Sequence, residues 1–303
     1  MTTHFSPQPG WELYRSFLAV LQEGSLSAAA RLLGLTQPTI GRHVEALEAA
    51  LGFALFTRSQ HGFLPTAAAL SLQPYAESLA ATTAALLRAA SAHAGSEGQV
   101  RGTVRISASE VVGAEVLPPI LRGLRQAHPA LAVELVLSNR LENLLQRQAD
   151  IAVRMLRPAQ EALLTRRAGV IPLGLYAHED YLTQYGRPQD VTQLLRHSLI
   201  GFDQETARIR RIVKDVAVLQ RDRFALRTDS DLAQLAMLRA AYGIGVCQVP
   251  LARRDTRLQP ILPQQFGWQL DTWVVMHEDL RNSARCRVAF DAIVDGLQAY
   301  IAQ

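Results

Sequence analysis

The run that most constrains this chain is SLSAAARLLGLTQPTIGRHVEALEAALG, residues 25–52. Ser25 and Ser27 are N-cap candidates ahead of AAARLL, and Gly34 suits the left-handed residue that ends a helix. A second helix restarts almost at once. Thr36 can cap it, Pro38 fits its first turn, and Ile40, Val44, Leu47 and Leu51 recur at 4-3-4 spacing, so they share one buried stripe. At about 100° per residue this stripe turns Pro38, Arg42, Glu45 and Ala49 outward, with Gln37, Thr39, Gly41 and His43 on the flanks. Small and hydrogen-bonding side chains on an exposed first turn fit a helix that enters the major groove of DNA, where Gln and Arg reach base edges. An ordinary pair of amphipathic helices would show the same periodicity, and periodicity alone does not separate the two.

The neighbouring segments organise the rest. ALFTRSQHGFLPT, residues 54–66, alternates apolar and polar side chains around Gly62 and predicts a small hairpin presenting Arg58 and His61. Arg58 there would hold a phosphate and set register without reading sequence, whereas His61 serves equally as a solvated turn residue. Residues 67–94 predict one alanine-rich helix with Leu70, Leu72, Tyr75, Leu79, Ala80, Leu86 and Leu87 on a broad apolar face and Pro74 as a potential kink. Such a face needs a partner. From Thr103 the texture changes: TVRIS, LAVELVL, DIAVRM, GVIPLGLYA and DTWVVMH alternate with helical patterns, predicting an α/β domain with largely parallel sheets.

Composition excludes several classes. Of 303 residues 49% are hydrophobic, enough for two or three cores, yet no apolar run approaches the about 18 residues of a membrane span. MTTHFSPQPG lacks the basic and apolar regions of a secretion signal, so the expected location is cytoplasmic and no membrane partner is expected. Two cysteines without ligand spacing, Cys247 and Cys286, predict neither a disulfide framework nor a metal site. Residues 1–95 carry five Arg and five Glu, so any nucleic-acid affinity there depends on where the charges sit.

At this point a resemblance becomes specific. FLAVLQEGSLSAAARLLGLTQPTIGRHVEALEAALGFALFTR, residues 17–58, resembles the winged helix-turn-helix of LysR-type transcriptional regulators in its TQP, LE, LG and LF.R elements. VLPPILRGLRQAHPALAVELV, ADIAVRM, HSLIGFD and AYGIGVCQVP are similar to that family's effector-binding domain in order and spacing. The resemblance implies an α/β multidomain chain. A winged helix-turn-helix would occupy 1–66, a dimerising linker helix 67–94 and a hinge 95–102. A two-lobed effector domain of the type 2 periplasmic-binding-protein fold would fill 103–303, with lobe one at 103–166 and 269–303 and lobe two at 167–268. It also implies a homodimer or tetramer on an interrupted palindrome of double-stranded DNA, a small-molecule effector, and contact with RNA polymerase where the regulator activates. No cofactor is implied.

Carried onto matching positions, the DNA-contacting set is Ser27, Thr36, Gln37, Pro38, Thr39, Arg42 and His43 on the helix pair, with Arg58 and His61 on the hairpin. The chain departs from the family pattern at Gly41, where serine is usual, at His61, where arginine is usual, and at Pro65 and the AAA after Thr66. A histidine in the wing makes phosphate binding pH-dependent.

In open α/β folds a ligand lies beyond the carboxyl ends of strands, where helix N-termini offer free N–H groups to an anion. By that rule the effector candidates are Ser107, Ser109, Glu110, Asn139, Arg154, Phe202 and Thr228. Caps, turn residues and a local ion pair explain several of them equally well. Asp229, Ser230 and Asp231 read as caps of the helix that follows, and Cys247 as a core thiol. If Glu110 and Arg154 converge with the serines, a small carboxylic acid or an amino acid fits the pocket. An enzyme is not expected. P-loop, GxSxG, HExxH and GxGxxG patterns are absent, and a secreted solute-binding protein would leave residues 11–66 unexplained.

Overall fold

The computed structural model describes residues 8–59, 62–91, 99–139, 148–157, 163–205 and 219–303. His61 lies outside them, and for Arg58 the backbone alone is described. The chain divides into two compact units, residues 1–87 and, apart from a short excursion, 88–303.

In the first unit, α1 (Trp11–Glu23), α2 (Leu26–Leu33) and α3 (Gln37–Leu51) pack around Phe17, Val20, Ala29, Ile40, Val44 and Leu47. The boundaries follow the sequence signals. Ser25 Oγ accepts the Ala28 N–H and Thr36 Oγ1 that of Thr39, while Gly24, Gly34 and Gly52 close the three helices at φ between 67° and 81°. Strands β1 (Phe56–Ser59) and β2 (Gly62–Pro65) form an antiparallel hairpin. It is tied to the helices by the Glu48 carboxylate, which accepts the N–H groups of Leu55 at 2.6 Å and Phe56 at 3.1 Å, and by the chain of rings Phe17, Phe56 and Phe63. The long α4 (Ala67–Ser91) carries Pro74 in its interior; it buries Ala69 and Ala76 and leaves Leu70, Tyr75, Leu79, Leu86 and Leu87 exposed.

The second unit is built on one nine-stranded sheet. Its strands are β3 (Gly102–Ala108), β4 (Leu131–Leu137), β5 (Ile151–Arg154), β6 (Leu163–His178), β7 (Leu199–Gly201), β8 (Phe224–Arg227), β9 (Ile244–Gln248), β10 (Leu258–Ile261) and β11 (Trp268–His277). The order is β4-β3-β5-β11-β6-β9-β7-β8, with β10 also on β6. This corrects the expectation of largely parallel sheets. The pairs β3/β4, β3/β5, β7/β8 and β7/β9 are parallel, but every pairing made by the long strands β6 and β11 is antiparallel. The return strand β11 runs back along β6, so it must oppose it. Both strands traverse the two lobes. Their ladder is interrupted once, where Thr272 faces Gly169 and Trp273 faces Arg167, leaving Ala168 as an extra residue on β6.

Helix α5 (Leu117–Ala127), entered through a π-turn at Val112–Val116, and the C-terminal helix Ala284–Ile301 cover the first lobe. Against the second lobe pack α6 (Glu179–Tyr185), α7 (Val191–Leu194), α8 (Asp231–Arg239) and α9 (Val249–Arg254), which makes the C-terminal helix α10.

At the inner end of β5 the buried Asp150 Oδ2 accepts Arg88 Nε at 3.1 Å, Arg285 Nη1 at 3.0 Å and the Arg105 N–H at 2.9 Å. Two guanidiniums share one carboxylate in a dry place. Arg88 Nη2 and Arg285 Nε have no partner among the described residues.

Candidate functional site: a recognition helix and an inter-lobe cavity

On the first unit, burying Ile40, Val44 and Leu47 leaves Thr36, Gln37, Pro38 and Arg42 exposed. Polar contacts stitch the two first turns together: Ser27 Oγ donates to Gln37 Oε1 at 3.1 Å, and the hydroxyls of Thr36 and Thr39 lie 2.8 Å apart. Arg42 makes no hydrogen bond or ion pair among the described residues, so its guanidinium is available. His43 is different. Its Nδ1 is 2.8 Å from Ser16 Oγ on α1, and the ring is half-buried, which gives it a packing role that the sequence did not reveal. A Cβ at Gly41 would meet only Leu26 Cδ1 at 3.8 Å, ordinary contact, so packing does not require glycine there.

In the second unit, a cavity of about 150 Å³ opens between the lobes. Its wall is mostly apolar, with Val111 and Met155 from the first lobe and Ile200, Phe202, Phe224 and Leu235 from the second. Phe202 and Phe224 meet edge to face at 5.0 Å, which fixes both rings. The polar lining is sparse: Ser109, Asp231, Gln234 and Gln248. Gln248 is held from behind, its Oε1 accepting the Tyr300 hydroxyl at 2.6 Å. Cys247 also lines the wall, where burial pushes its thiol pKa up to about 12, so it is a neutral wall group at physiological pH.

The seven effector candidates fall into separate groups. Ser109 and Phe202 line the cavity. Glu110 and Asn139 instead latch the lobes: Glu110 Oε2 accepts Ser230 Oγ at 2.9 Å and the Leu232 N–H at 3.2 Å, Asn139 Oδ1 accepts the Glu110 N–H, and Asn139 Nδ2 donates to Asp231 Oδ2 at 3.1 Å. Ser107 and Arg154 form a third group. Arg154 is 3% exposed and donates to the Ser107 carbonyl at 3.1 Å, to Ser107 Oγ at 2.7 Å and to the Val153 carbonyl at 2.9 Å. Burial lowers its pKa to about 10, since its contacts are all neutral. Thr228 accepts the Ser230 N–H and shapes the turn into α8, where Ser230 is the N-cap and Asp229 accepts two backbone N–H groups. Thus the convergence of Glu110, Arg154 and the serines on one ligand is not what the fold builds: Glu110 and Arg154 are absent from the cavity wall.

Sequence reasoning missed most of the cavity. Gln248 lies within AYGIGVCQVP but was not singled out there, Gln234 carried no motif, and the Glu115–Arg239 bridge between the π-turn and α8, at 2.7 and 2.9 Å, joins residues far apart in sequence. Among the described residues no group of three or more His, Cys, Asp or Glu is placed to hold a metal ion, and no helix is long and apolar enough to cross a membrane.

Residues 97–298 match the family profile described as "LysR substrate binding domain", and residues 11–70 the one described as "Bacterial regulatory helix-turn-helix protein, lysR family". The chain belongs to the LysR family. Among curated LysR-type relatives it is 27% identical over 191 residues to the HTH-type transcriptional regulator PgrR of Escherichia coli K12, a match spanning 61% of this chain and 62% of that protein. It is 26% identical over 294 residues, 93% of both chains, to the probable regulator LtrA of Klebsiella pneumoniae. Of solved structures, CbnR, a LysR family transcriptional regulator, superposes with a TM-score of 0.68 at 19% identity, covering 96% of this chain and 99% of that one; CbnR has also been solved with its target DNA. This likeness carries the fold: a winged helix-turn-helix followed by a two-lobed α/β domain.

Proposed function

We propose that the chain is a cytoplasmic, sequence-specific DNA-binding regulator without catalytic activity, whose affinity or geometry on DNA is set by a small molecule held between the lobes. One observation carries the reading. The α3 face opposite the Ile40–Val44–Leu47 stripe presents Gln37, Pro38 and an uncommitted Arg42, beside Thr36, Thr39 and Ser27, with strand β1, to which Arg58 belongs, following in sequence. Arg42 and Gln37 supply base-edge contacts, and Arg58 and His61 phosphate contacts; His43 supports the helix from behind. Family membership and the DNA complex of CbnR favour double-stranded DNA as the partner.

Exposed Leu70, Tyr75, Leu79, Leu86 and Leu87 on α4 favour self-association along that helix, because a stripe of this kind is buried in a stable assembly. A dimer presents two α3 helices to an interrupted palindrome. The domain limits 1–66, 67–94 and 103–303 follow from that division of labour, and RNA polymerase becomes a partner where the regulator activates. Effector binding shifts a pre-existing equilibrium between lobe arrangements. The test is fluorescence anisotropy on the DNA upstream of its own gene against scrambled DNA at fixed salt. Arg42→Ala should weaken specific binding by about 1–3 kcal/mol and leave random DNA nearly unaffected. Unchanged operator affinity in Arg42→Ala refutes the base-reading role.

A further inference from the structure

The charge of the effector can be argued from what already sits in the crevice, granted that the crevice is the effector site. A helix N-terminus is the ready-made place for an anion, and α8 aims its own at the inter-lobe space. That place is taken. Glu110 Oε2 accepts the Leu232 N–H and the Ser230 hydroxyl, and Ser230 Oγ in turn accepts the Ala233 N–H. A ligand carboxylate would have to displace Glu110 or lie beside both it and Asp231, where like charges repel. Neither cation nearby is offered to the cavity: Arg239 is bidentate to Glu115, and Arg154, which among the described residues has no carboxylate partner and no partner for its Nε, lies outside the cavity wall with its other nitrogens on Ser107 and Val153.

What the cavity leaves unused is neutral. Gln248 presents an Nε2 amide while its Oε1 is engaged by Tyr300; Gln234 donates Nε2 to the Thr228 carbonyl and keeps Oε1; Ser109 Oγ has no partner among the described residues. Around these groups the wall is Ile200, Phe202, Phe224, Leu235, Val246 and Leu251. Engineered apolar cavities of about this volume take a benzene ring. We propose that the effector is an uncharged compound, one apolar ring bearing a hydroxyl or carbonyl oxygen, and that Glu110 acts as a built-in carboxylate that excludes anionic ligands from the same crevice. The oxygen pairs with Gln248 Nε2, Gln234 Oε1 or Ser109, and the ring lies between Phe202 and Ile200.

The sequence supplies a reporter, because its four methionines are Met1, Met155, Met237 and Met276, and of these Met155 lines the cavity whereas Met237 is exposed elsewhere. The full chain, labelled with ¹³C at the methionine methyls, is titrated with benzyl alcohol and with benzoate, which share a ring and differ in charge. The expected result is a saturable shift of Met155 by benzyl alcohol, at least about tenfold tighter than by benzoate, with Met237 still. Glu110→Ala should narrow that preference about tenfold by vacating the anion seat and removing its charge; Glu110→Gln, which can still accept from Ser230 and Leu232 but carries no charge, should narrow it by less. Benzoate binding at Met155 as tightly as the alcohol in the unsubstituted chain overturns the neutral class and leaves the crevice standing as the site. A preference that Glu110→Ala does not change overturns the excluding role of Glu110. If neither probe moves Met155, the crevice reading itself fails, and the proposal with it.

Discussion

Replacing Asp150 by Asn should be the most damaging single charge change in the second unit. Asp150 is 3% exposed and Arg285 2%, and Arg88 and Arg285 both donate to the same Oδ2. Losing the carboxylate charge leaves two guanidiniums in a dry site, each already with one unpartnered nitrogen. Removing one partner of a buried ion pair destabilises by about 3–5 kcal/mol. For a cooperative unit of this size, about 2–4 °C accompanies each kcal/mol, so the melting temperature should fall by about 6–20 °C. Thermal denaturation followed by circular dichroism at neutral pH measures it. The control is Glu134→Gln, which loosens the Arg105–Glu134 pair, where both side chains are more than a third exposed; a loss below about 1 kcal/mol is expected there. The second arm is Asp150→Asn with Arg88→Met. Removing one stranded cation should make the double variant less unstable than the sum of the singles. An Asp150→Asn melting temperature no lower than that of Glu134→Gln, with additive double-variant effects, would refute the argument.

Two further outcomes are expected. The Arg239 hydrogen bond holds the Glu115 carboxyl below its ordinary value of 4.5, so this pair stabilises the fold above that value and loses its contribution as pH falls through the lower folded value. The stability difference between the parent chain and Glu115→Gln, measured by urea denaturation, should stay level from about pH 7 to pH 5, amount to no more than about 1 kcal/mol, and shrink towards pH 3; a difference unchanged at the acid end would contradict it. Both cysteines are buried, and burial raises both thiol pKa values, that of Cys247 to about 12. A thiol-exchange chromogen at pH 8 should therefore label neither in the native protein and both after denaturation, and fast native labelling would exclude the buried, protonated description.

The legible parts of this chain were those whose partners lie within a few residues. Ser25, Gly34 and Thr36 cap where their spacing said, the Ile40, Val44 and Leu47 stripe is buried, LAVELVL is a strand from its first residue to its last, and Ser230 caps α8. Long-range pairings were not legible. Nothing around Glu110 announces a hydroxyl 120 positions onward, so its role as a latch was invisible and a ligand contact was the natural reading. Nothing in the sequence singles out Asp150 and Arg88 for the same reason, because local pattern does not encode which charges meet out of water. The direction of β6 and β11 was hidden too: a strand's composition says that it is buried, while its orientation is set by the connection that returns it.

The unpaired Ala168 on β6 has a consequence for how this architecture can vary. Side chains alternate along a strand, so one surplus residue reverses which of them face the helices from that point on. The two lobes therefore share long strands but run in opposite phase, each matched to its own covering helices. Shortening β6 by this one residue would not trim a loop. It would close the bulge while Gly169 keeps Thr272 and Arg167 keeps Trp273, so descendants of this sequence can lose a single residue here and hold both lobes in phase with β11, which an added residue would upset.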